Sequence, residues 1–369
     1  MTVERTVRLR FERASQEALT HTNLSAVRSD GRVLWVAGDE TATVERLVAD
    51  DERAPGEYAE QVTFRLADLV DLPGSDADEE ADLEGLARSG DFLWAVGSHS
   101  LRRKQIKAKH SGAKALKRLA RVEGQGNRQV LLRLPVAEIE GLPALVTEAV
   151  VAGQKTRAAV FGFPGHDLRD LLAGDEHLAP FLPIPGKDNG LDIEGIAVSG
   201  DRVYLGLRGP VLRGWAFVLE LWPEVDPVDP ARLRLRTLPD GAVYRKHVLD
   251  LDGLGVRDLC PIGADLLVLA GPTMSLDGPV RVYRWHDAAR AEGPEVVRGE
   301  ALSREVDLPH GMGEDRAEGI GLLGPPDHLR LIVVYDSPSP DRLDTPDTVL
   351  ADVVLLPRRD PADGAVTRR

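Results

Sequence analysis

The chain has 369 residues, a formal net charge of −14 and few aromatic residues (5%). The negative charge disfavours a general nucleic-acid binder, because phosphate backbones attract positively charged surfaces. No apolar stretch approaches the roughly 20 residues that a membrane-spanning helix needs.

The first predicted element is a strand at residues 6–11 (TVRLRF), in which Val7, Leu9 and Phe11 alternate with polar residues. After it, one pattern occurs five times: an apolar residue, a small or charged residue, Gly or Ala, an apolar pair, a turn and an apolar strand. One copy reads DIEGIAVSGDRVYLGLRGP. The aligned positions, 59, 110, 63 and 61 residues apart, are Ser25, Glu84, Glu194, Arg257 and Glu318. A repeat of about 60 residues is typical of propellers and solenoids.

The sequence of a complete unit predicts four short antiparallel strands, the number found in one blade of a propeller. The third unit, for example, continues with the strands AFVLEL (216–221) and KHVLDL (246–251). The fifth unit has only three strands, so we expect residues 6–11 to pair beside residues 349–355 and close the last blade. The predicted fold is an all-β, five-bladed β-propeller spanning residues 1–356 as one domain, with a disordered tail at 357–369.

The second unit is enlarged by an insertion at residues 101–190. Leu116, Leu119 and Ala120 have helical spacing, and DLRDLL ends before Gly174, so one or two helices are expected there. The alternative is a sixth, degenerate blade. Residues 102–121 contain nine Lys and Arg and no acidic residue. This basic segment is either a solvated insertion or a local site for phosphate, nucleotide or RNA.

Propeller topology gathers the aligned repeat positions and the ends of the second strands around one channel mouth. Three glutamates, Glu84, Glu194 and Glu318, would repel one another there. Arg257 offsets one charge, and a divalent cation would balance the remaining −2. Oxygen ligands without paired histidines favour Ca²⁺ or Mg²⁺ over zinc. Alternatively, the glutamates cap backbone amides, and Arg257 with water fills the channel.

An anionic ligand could bind at the same mouth. The candidate ligand-binding residues are Arg102, Arg103, Arg208, Arg213 and Arg257, since guanidinium groups bind phosphate in a bidentate manner. His99, in the loop after a second strand, is the candidate catalytic base. Alternatively, His99 is a hydrogen-bonded loop histidine, and Arg208 pairs with a channel acid such as Glu194.

The motifs DLEGLA with GSHS, YLGLRGPVLRGWA and RAEGIG resemble those of a bacterial propeller family of unknown function. That family is distantly similar to the esterase-like phytases, and the resemblance covers about residues 24–356. It implies a propeller fold. The phytase relatives imply calcium held by channel-facing acids, here Glu84, Glu194 and Glu318, and phosphate-ester substrates. Ser25 and Arg257 depart from an all-acid ring.

The sequence therefore predicts a channel-mouth site for a small anionic, phosphate-containing ligand, in a divalent-metal-dependent phosphoester hydrolase. The alternative is a non-catalytic scaffold that binds a protein or another ligand. The N-terminal residues lack the apolar core of a signal peptide, and the single cysteine, Cys260, cannot form an internal disulfide. A cytoplasmic location without a membrane partner is the resulting expectation.

Overall fold

The computed structural model describes residues 3–50, 56–74, 76, 79–324 and 328–357. Strands dominate this part of the chain and its helices are short, which confirms the all-β class. None of the helices in the described ranges has the length and apolar character needed to cross a membrane. The predicted tail lies outside the described residues from position 358 onward.

The first unit folds into four antiparallel strands in chain order, because short polar turns separate its apolar runs. At the first of these turns Gly31 has a φ of 62°, a left-handed conformation that glycine adopts without steric cost. The elements are β1 (Val3–Arg10), α1 (Arg13–Glu17), β2 (Leu24–Asp30), β3 (Val33–Gly38), β4 (Thr43–Ala49) and β5 (Glu57–Arg65).

The second unit contains the enlarged region. Its elements are β6 (Leu83–Ser89), β7 (Phe92–Gly97), β8 (Arg102–Arg103), α2 (Gly112–Leu119), β9 (Val122–Glu123), β10 (Leu131–Ile139), β11 (Leu142–Leu145), β12 (Glu148–Val151), β13 (Gln154–Arg157), β14 (Ala159–Phe161) and α3 (Leu168–Leu172). Strands β6, β7 and β10 form one sheet, and β11 and β14 both add to the outer side of β10.

The insertion is partly helical, as predicted. Helix α2 includes Leu116 and Leu119, and α3 lies within the DLRDLL segment. Between them, β12 and β13 form a hairpin rather than a helix. Its turn residues Ala152 and Gly153 have φ values of 50° and 79°. Two successive positive φ angles are typical of the tight turns that join antiparallel strands.

The third and fourth units repeat the four-strand order. The third also gains a short parallel strand at its outer edge, taken from the chain of the fourth unit. The elements are β15 (Asp192–Ser199), β16 (Arg202–Gly209), β17 (Trp215–Leu221), β18 (Pro223–Val225), β19 (Leu233–Leu235), β20 (Tyr244–Asp250), β21 (Gly255–Ile262), β22 (Asp265–Gly271), β23 (Val280–Trp285), β24 (Val296–Val297) and β25 (Leu302–Leu308).

The last unit is completed by the N-terminal strand, as the alternation of apolar residues predicted. Its own strands are β26 (Arg316–Leu323), β27 (Arg330–Asp336), β28 (Leu343–Thr345) and β29 (Thr348–Leu355). Strand β1 pairs antiparallel with β29, with Leu9 opposite Val349. On its other side β1 pairs parallel with β5 of the first unit. The N-terminus thereby joins the first and last units in one sheet.

The first strands of the five units, β2, β6, β15, β21 and β26, contact one another in sequence, and β26 contacts β2. The repeated Gly or Ala makes this close approach possible. A Cβ on Gly85 would lie 2.9 Å from the Ile196 side chain of the next unit. One on Gly195 would lie 3.0 Å from the Asp258 backbone. Apolar side chains fill the space between successive sheets.

Candidate functional site

The aligned repeat position is a β-bulge in all five first strands. The register between the first and second strand of each unit shifts at this position, which is occupied by Ser25, Glu84, Glu194, Arg257 and Glu318. A bulged residue is left out of the hydrogen-bonded ladder and its side chain is redirected. The bulge therefore explains why one sequence position can carry a distinct side-chain function in every unit.

Glu84, Glu194 and Glu318 line one cavity of about 340 Å³. Residues at the ends of second strands or just after them line it too, including Asp39, Glu40, Ser100 and Asp336, as the predicted topology requires. Strand β8 and the residues after it complete the wall. The lining carries ten carboxylates and six cationic side chains, so this cavity (the mouth cavity) has a negative balance.

Two buried arginines neutralise part of this charge. Arg208 Nη1 lies 2.6 Å from Glu194 Oε1, and Arg208 Nε donates to the carbonyl of Thr273 at 2.9 Å. Arg257 Nη1 lies 2.6 Å from Glu318 Oε1 and 3.1 Å from Glu194 Oε2. Both guanidinium groups are thus held by channel carboxylates. The pairing of Arg208 with Glu194 is the alternative that the sequence left open. Phosphate binding by Arg208 and Arg257 stays a prediction.

A third arginine holds one side of the carboxylate cluster. Arg128, just before β10, places Nη1 at 2.7 Å from Asp82 Oδ2 and also contacts Glu80. Sequence analysis did not single out Arg128. Its pairing with Asp82 depends on a sheet that brings together residues 46 positions apart, and no local pattern signals it.

Asp39, Asp82 and Glu84 form the most compact group of carboxylates at the mouth. One oxygen from each lies within 4.8 Å of one from each of the others. Asp39 Oδ1 is buried without a hydrogen-bond partner in the described chain. Within the same residues, Glu84 forms no side-chain hydrogen bond or ion pair. The structure groups Glu84 with Asp39 and Asp82, whereas the other two predicted ligands, Glu194 and Glu318, face arginines.

Burial and mutual repulsion raise the pKa values of these carboxyls. Burial, followed by the charge of Asp82, raises the pKa of Asp39 to about 7. The pKa of Glu84 is raised well above its ordinary value by burial and then by Asp82 and Glu194. Burial raises the pKa of Glu318 to about 8 even with Arg257 opposing it. Such groups hold protons near neutral pH or require a cation nearby.

Arg28 lies on the first strand of the first unit, three residues after the bulge, and its side chain is buried among the first strands of other units. Its guanidinium forms a bidentate pair with Asp258, with N–O distances of 2.7 and 2.8 Å. It also donates to the backbone carbonyls of Ile196, Leu259 and Ile320, which belong to three other units. Asp258 accepts from the backbone N–H of Ile320 at 2.9 Å. One side-chain pair thus connects the first strands of four units.

Two of the five predicted anion-binding residues lie at the rim of the mouth cavity. Arg102 and Arg103 both line the mouth cavity. Arg102 pairs with Glu80 at 3.0 Å, and Arg103 pairs with Asp188 at 2.6 Å. Lys187, which sequence analysis did not single out, is exposed, lines the same cavity and forms no ion pair within the described residues. The rim therefore carries these three cations together with the exposed acids Glu40 and Asp188, around an acidic interior.

His99, Arg213 and Arg257 are not among the residues that line the mouth cavity. His99 is fully buried, and its Nδ1 lies 2.9 Å from the carbonyl oxygen of Gly97. Burial lowers the pKa of His99 to about 4, so its ring is neutral at physiological pH. Catalysis by His99 and anion binding by Arg213 stay predictions.

The substitution Arg208→Ala should destabilise the protein, because it leaves Glu194 buried without its closest cation. Breaking a buried ion pair in this way costs about 3–5 kcal/mol. Urea denaturation measures this loss. Arg102→Ala, at an exposed ion pair, is the matched control and should cost no more than about 1 kcal/mol. The double variant Arg208→Leu/Glu194→Leu should recover much of the stability. Equal stability of the wild type and Arg208→Ala would contradict the role of this pair.

The sequence profile of DUF3616, described as a protein of unknown function, matches residues 23–352. No curated protein matches the chain. Similar solved structures include glutaminyl cyclase from Myxococcus xanthus, with 11% identity over 96% of this chain and 97% of that chain and a TM-score of 0.39. The allergen Mala s 1 from Malassezia sympodialis has 8% identity over 92% and 94% of the two chains and a TM-score of 0.41. At these low identities and TM-scores, the likeness supports no functional argument.

Proposed function

The chain belongs to the DUF3616 family, whose function is unknown, and we propose from its own residues that it is a divalent-metal-dependent phosphoester hydrolase. Its site is the mouth of a five-bladed β-propeller. Five bulged first strands in mutual contact support five blades. The strands of the insertion, which extend the second sheet or form two-stranded hairpins, argue against a sixth.

The observation that carries the proposal is the carboxylate group Asp39, Asp82 and Glu84. Two oxygens bound to one calcium ion at 2.3–2.6 Å can be at most about 5 Å apart. The observed separations of up to 4.8 Å are compatible with that limit. Of these three carboxylates only Asp82 pairs with Arg128, and Asp39 Oδ1 is a buried acceptor without a donor in the described chain. A cation would satisfy both Asp39 and Glu84.

The chemistry of the donors selects the type of ion. Carboxylate oxygens without thiolate or imidazole suit Ca²⁺ or Mg²⁺. When bound, such an ion polarises a phosphoryl oxygen and lowers the pKa of a water molecule. The residues of the chain would position the ester: the acidic interior holds the cation, and the cationic rim receives the remaining negative charge.

Lys187, Arg102 and Arg103 are the rim residues suited to bind the phosphate. Lys187 is exposed and close enough to the acids to influence them: burial raises the pKa of Asp39 and of Asp192, and the charge of Lys187 opposes that rise. Arg102 is more than half exposed and its ion pair with Glu80 can be exchanged for a ligand phosphate at little cost. Arg208 is paired with Glu194, so its role would be to neutralise that carboxylate and not to bind the phosphate.

Calcium should stabilise the metal-free protein. Binding only to the folded state adds about 2.7 kcal/mol at a hundredfold excess over the dissociation constant. Thermal melts of chelator-treated protein, with and without Ca²⁺ or Mg²⁺, measure this effect. Glu84→Gln should abolish the increase in melting temperature, because it removes the negative charge of one metal-binding carboxylate. Glu40→Gln, at an exposed acid of the same cavity, should retain it. An unchanged melting temperature in demonstrably metal-free wild type would rule out the cation site.

Hydrolysis is tested separately by the release of phosphate from p-nitrophenyl phosphate and from nucleotides. The metal-loaded protein should be active, chelator should remove the activity, and Glu84→Gln should lower kcat at least about tenfold. Glu40→Gln should again behave as the wild type. Metal binding without any turnover would contradict the hydrolase and leave a ligand-binding scaffold.

A further inference from the structure

A basic flap, defined as Arg102–Glu123, projects beside the mouth cavity. Strands β8 and β9 pair at its base, and α2 lies between them. Arg103 Nη1 donates to the carbonyl of Leu119 at 2.8 Å, and Arg118 Nε donates to that of Gln105 at 2.7 Å. These bonds hold the helix against its own strand. No residue of α2 is buried, so the protein itself does not cover this helix.

Positive charge is concentrated in the flap. Nine of the 46 Lys and Arg residues lie between positions 102 and 121, whereas all 60 acidic residues lie outside that segment. Four of the nine form no ion pair within the described chain and are exposed: Lys107, Lys109, Lys114 and Lys117. The flap is thus a local cationic surface on a molecule whose remainder is strongly acidic.

Helix α2 is also amphipathic. At 100° per residue, Lys114, Lys117 and Arg118 share one face, and Leu116 and Leu119 lie on the opposite one. Leu116 is 69% exposed and Leu119 is 42% exposed. Ile106, in the loop before the helix, is 47% exposed. Bulky apolar side chains that stay exposed beside cations are typical of helices that lie in a membrane interface.

We propose that the flap binds the surface of an anionic lipid bilayer. The four unpaired lysines of the flap would contact lipid phosphates, and Leu116, Leu119 and Ile106 would enter the boundary of the acyl chains. Each Lys or Arg near an anionic surface adds to binding, and the apolar side chains add to it independently. The strongly acidic remainder of the protein would be repelled, so the molecule docks flap first. This contact is peripheral and needs no membrane-spanning segment, but it replaces the expectation from the sequence that the protein has no membrane partner.

Two other classes of partner fit the flap less well. Single-stranded nucleic acid is bound largely by aromatic side chains that stack on bases, and residues 101–124 contain no Phe, Tyr or Trp. Nucleic acid also gives the exposed leucines no role. An acidic protein groove takes helices with apolar anchors spread over two or more turns, whereas Leu116 and Leu119 lie within one turn.

The test is co-sedimentation of the full-length protein with vesicles of phosphatidylcholine alone or with about 30% phosphatidylserine. The protein should bind only the anionic vesicles, and binding should weaken as salt rises above about 0.1 M. Lys114→Glu/Lys117→Glu and Leu116→Ser should each lower the affinity at least about tenfold. Melting temperatures of all variants should equal that of the wild type, since α2 contributes no buried side chain.

Matched controls lie on the hairpin of β12 and β13. Lys155→Glu/Arg157→Glu makes the same change in net charge, and Val150→Ser alters an apolar residue that is 73% exposed. Both controls should bind like the wild type. The proposal fails if the protein does not bind anionic vesicles at low salt, or if the flap variants bind as well as the controls. Binding of an RNA oligonucleotide without binding to vesicles would also overturn it. Because no metal enters the assay, failure of the hydrolase proposal leaves this one unaffected.

Discussion

Neutralisation of charge along the channel axis is the constraint on which the rest of the structure depends. Buried charges are costly unless they are paired and their hydrogen bonds are satisfied. Arg28 pairs with Asp258 and donates to backbone carbonyls of two further first strands, and only its Nε has no hydrogen-bond partner in the described chain. The pair is fully enclosed, with side-chain exposures of 5% and 0%. The partners of Arg28 and Asp258 come from four units, so this ion pair stabilises the fold only when the first strands of those units are in contact.

The same rule explains what differs between the glutamates of the mouth. Bulges turn Glu84, Glu194 and Glu318 into one cavity, but only the last two meet an arginine there. Glu84 instead lies beside Asp39 and Asp82, and all three pKa values are raised above their ordinary range by burial. Three equivalent sequence positions thus divide into two that pair with an arginine and one that forms no ion pair within the described chain.

The sequence was informative wherever a local pattern repeats. It predicted the strand order of the units and the N-terminal strand beside β29, and three of its five aligned positions, Glu84, Glu194 and Glu318, line one cavity. It could not predict partners that only the closed ring brings together, such as Arg28 and Asp258, which are 230 residues apart. The sequence did not predict the bulges either, because a bulge depends on the register between two paired strands. For that reason the expected ring of three glutamates differs from the observed cluster with Asp39 and Asp82.

We propose distinct tasks for adjacent regions: an acidic interior for a cation, rim cations for phosphate and the exposed lysines of the basic flap for a lipid surface. The cation at Asp39, Asp82 and Glu84 is central to this proposal. The most direct measurement is an anomalous difference map from crystals grown with Mn²⁺, a hard divalent ion that accepts carboxylate ligands. The account predicts a peak in contact with all three carboxylates. A mouth cavity without a peak, or a peak only at other residues, would contradict it.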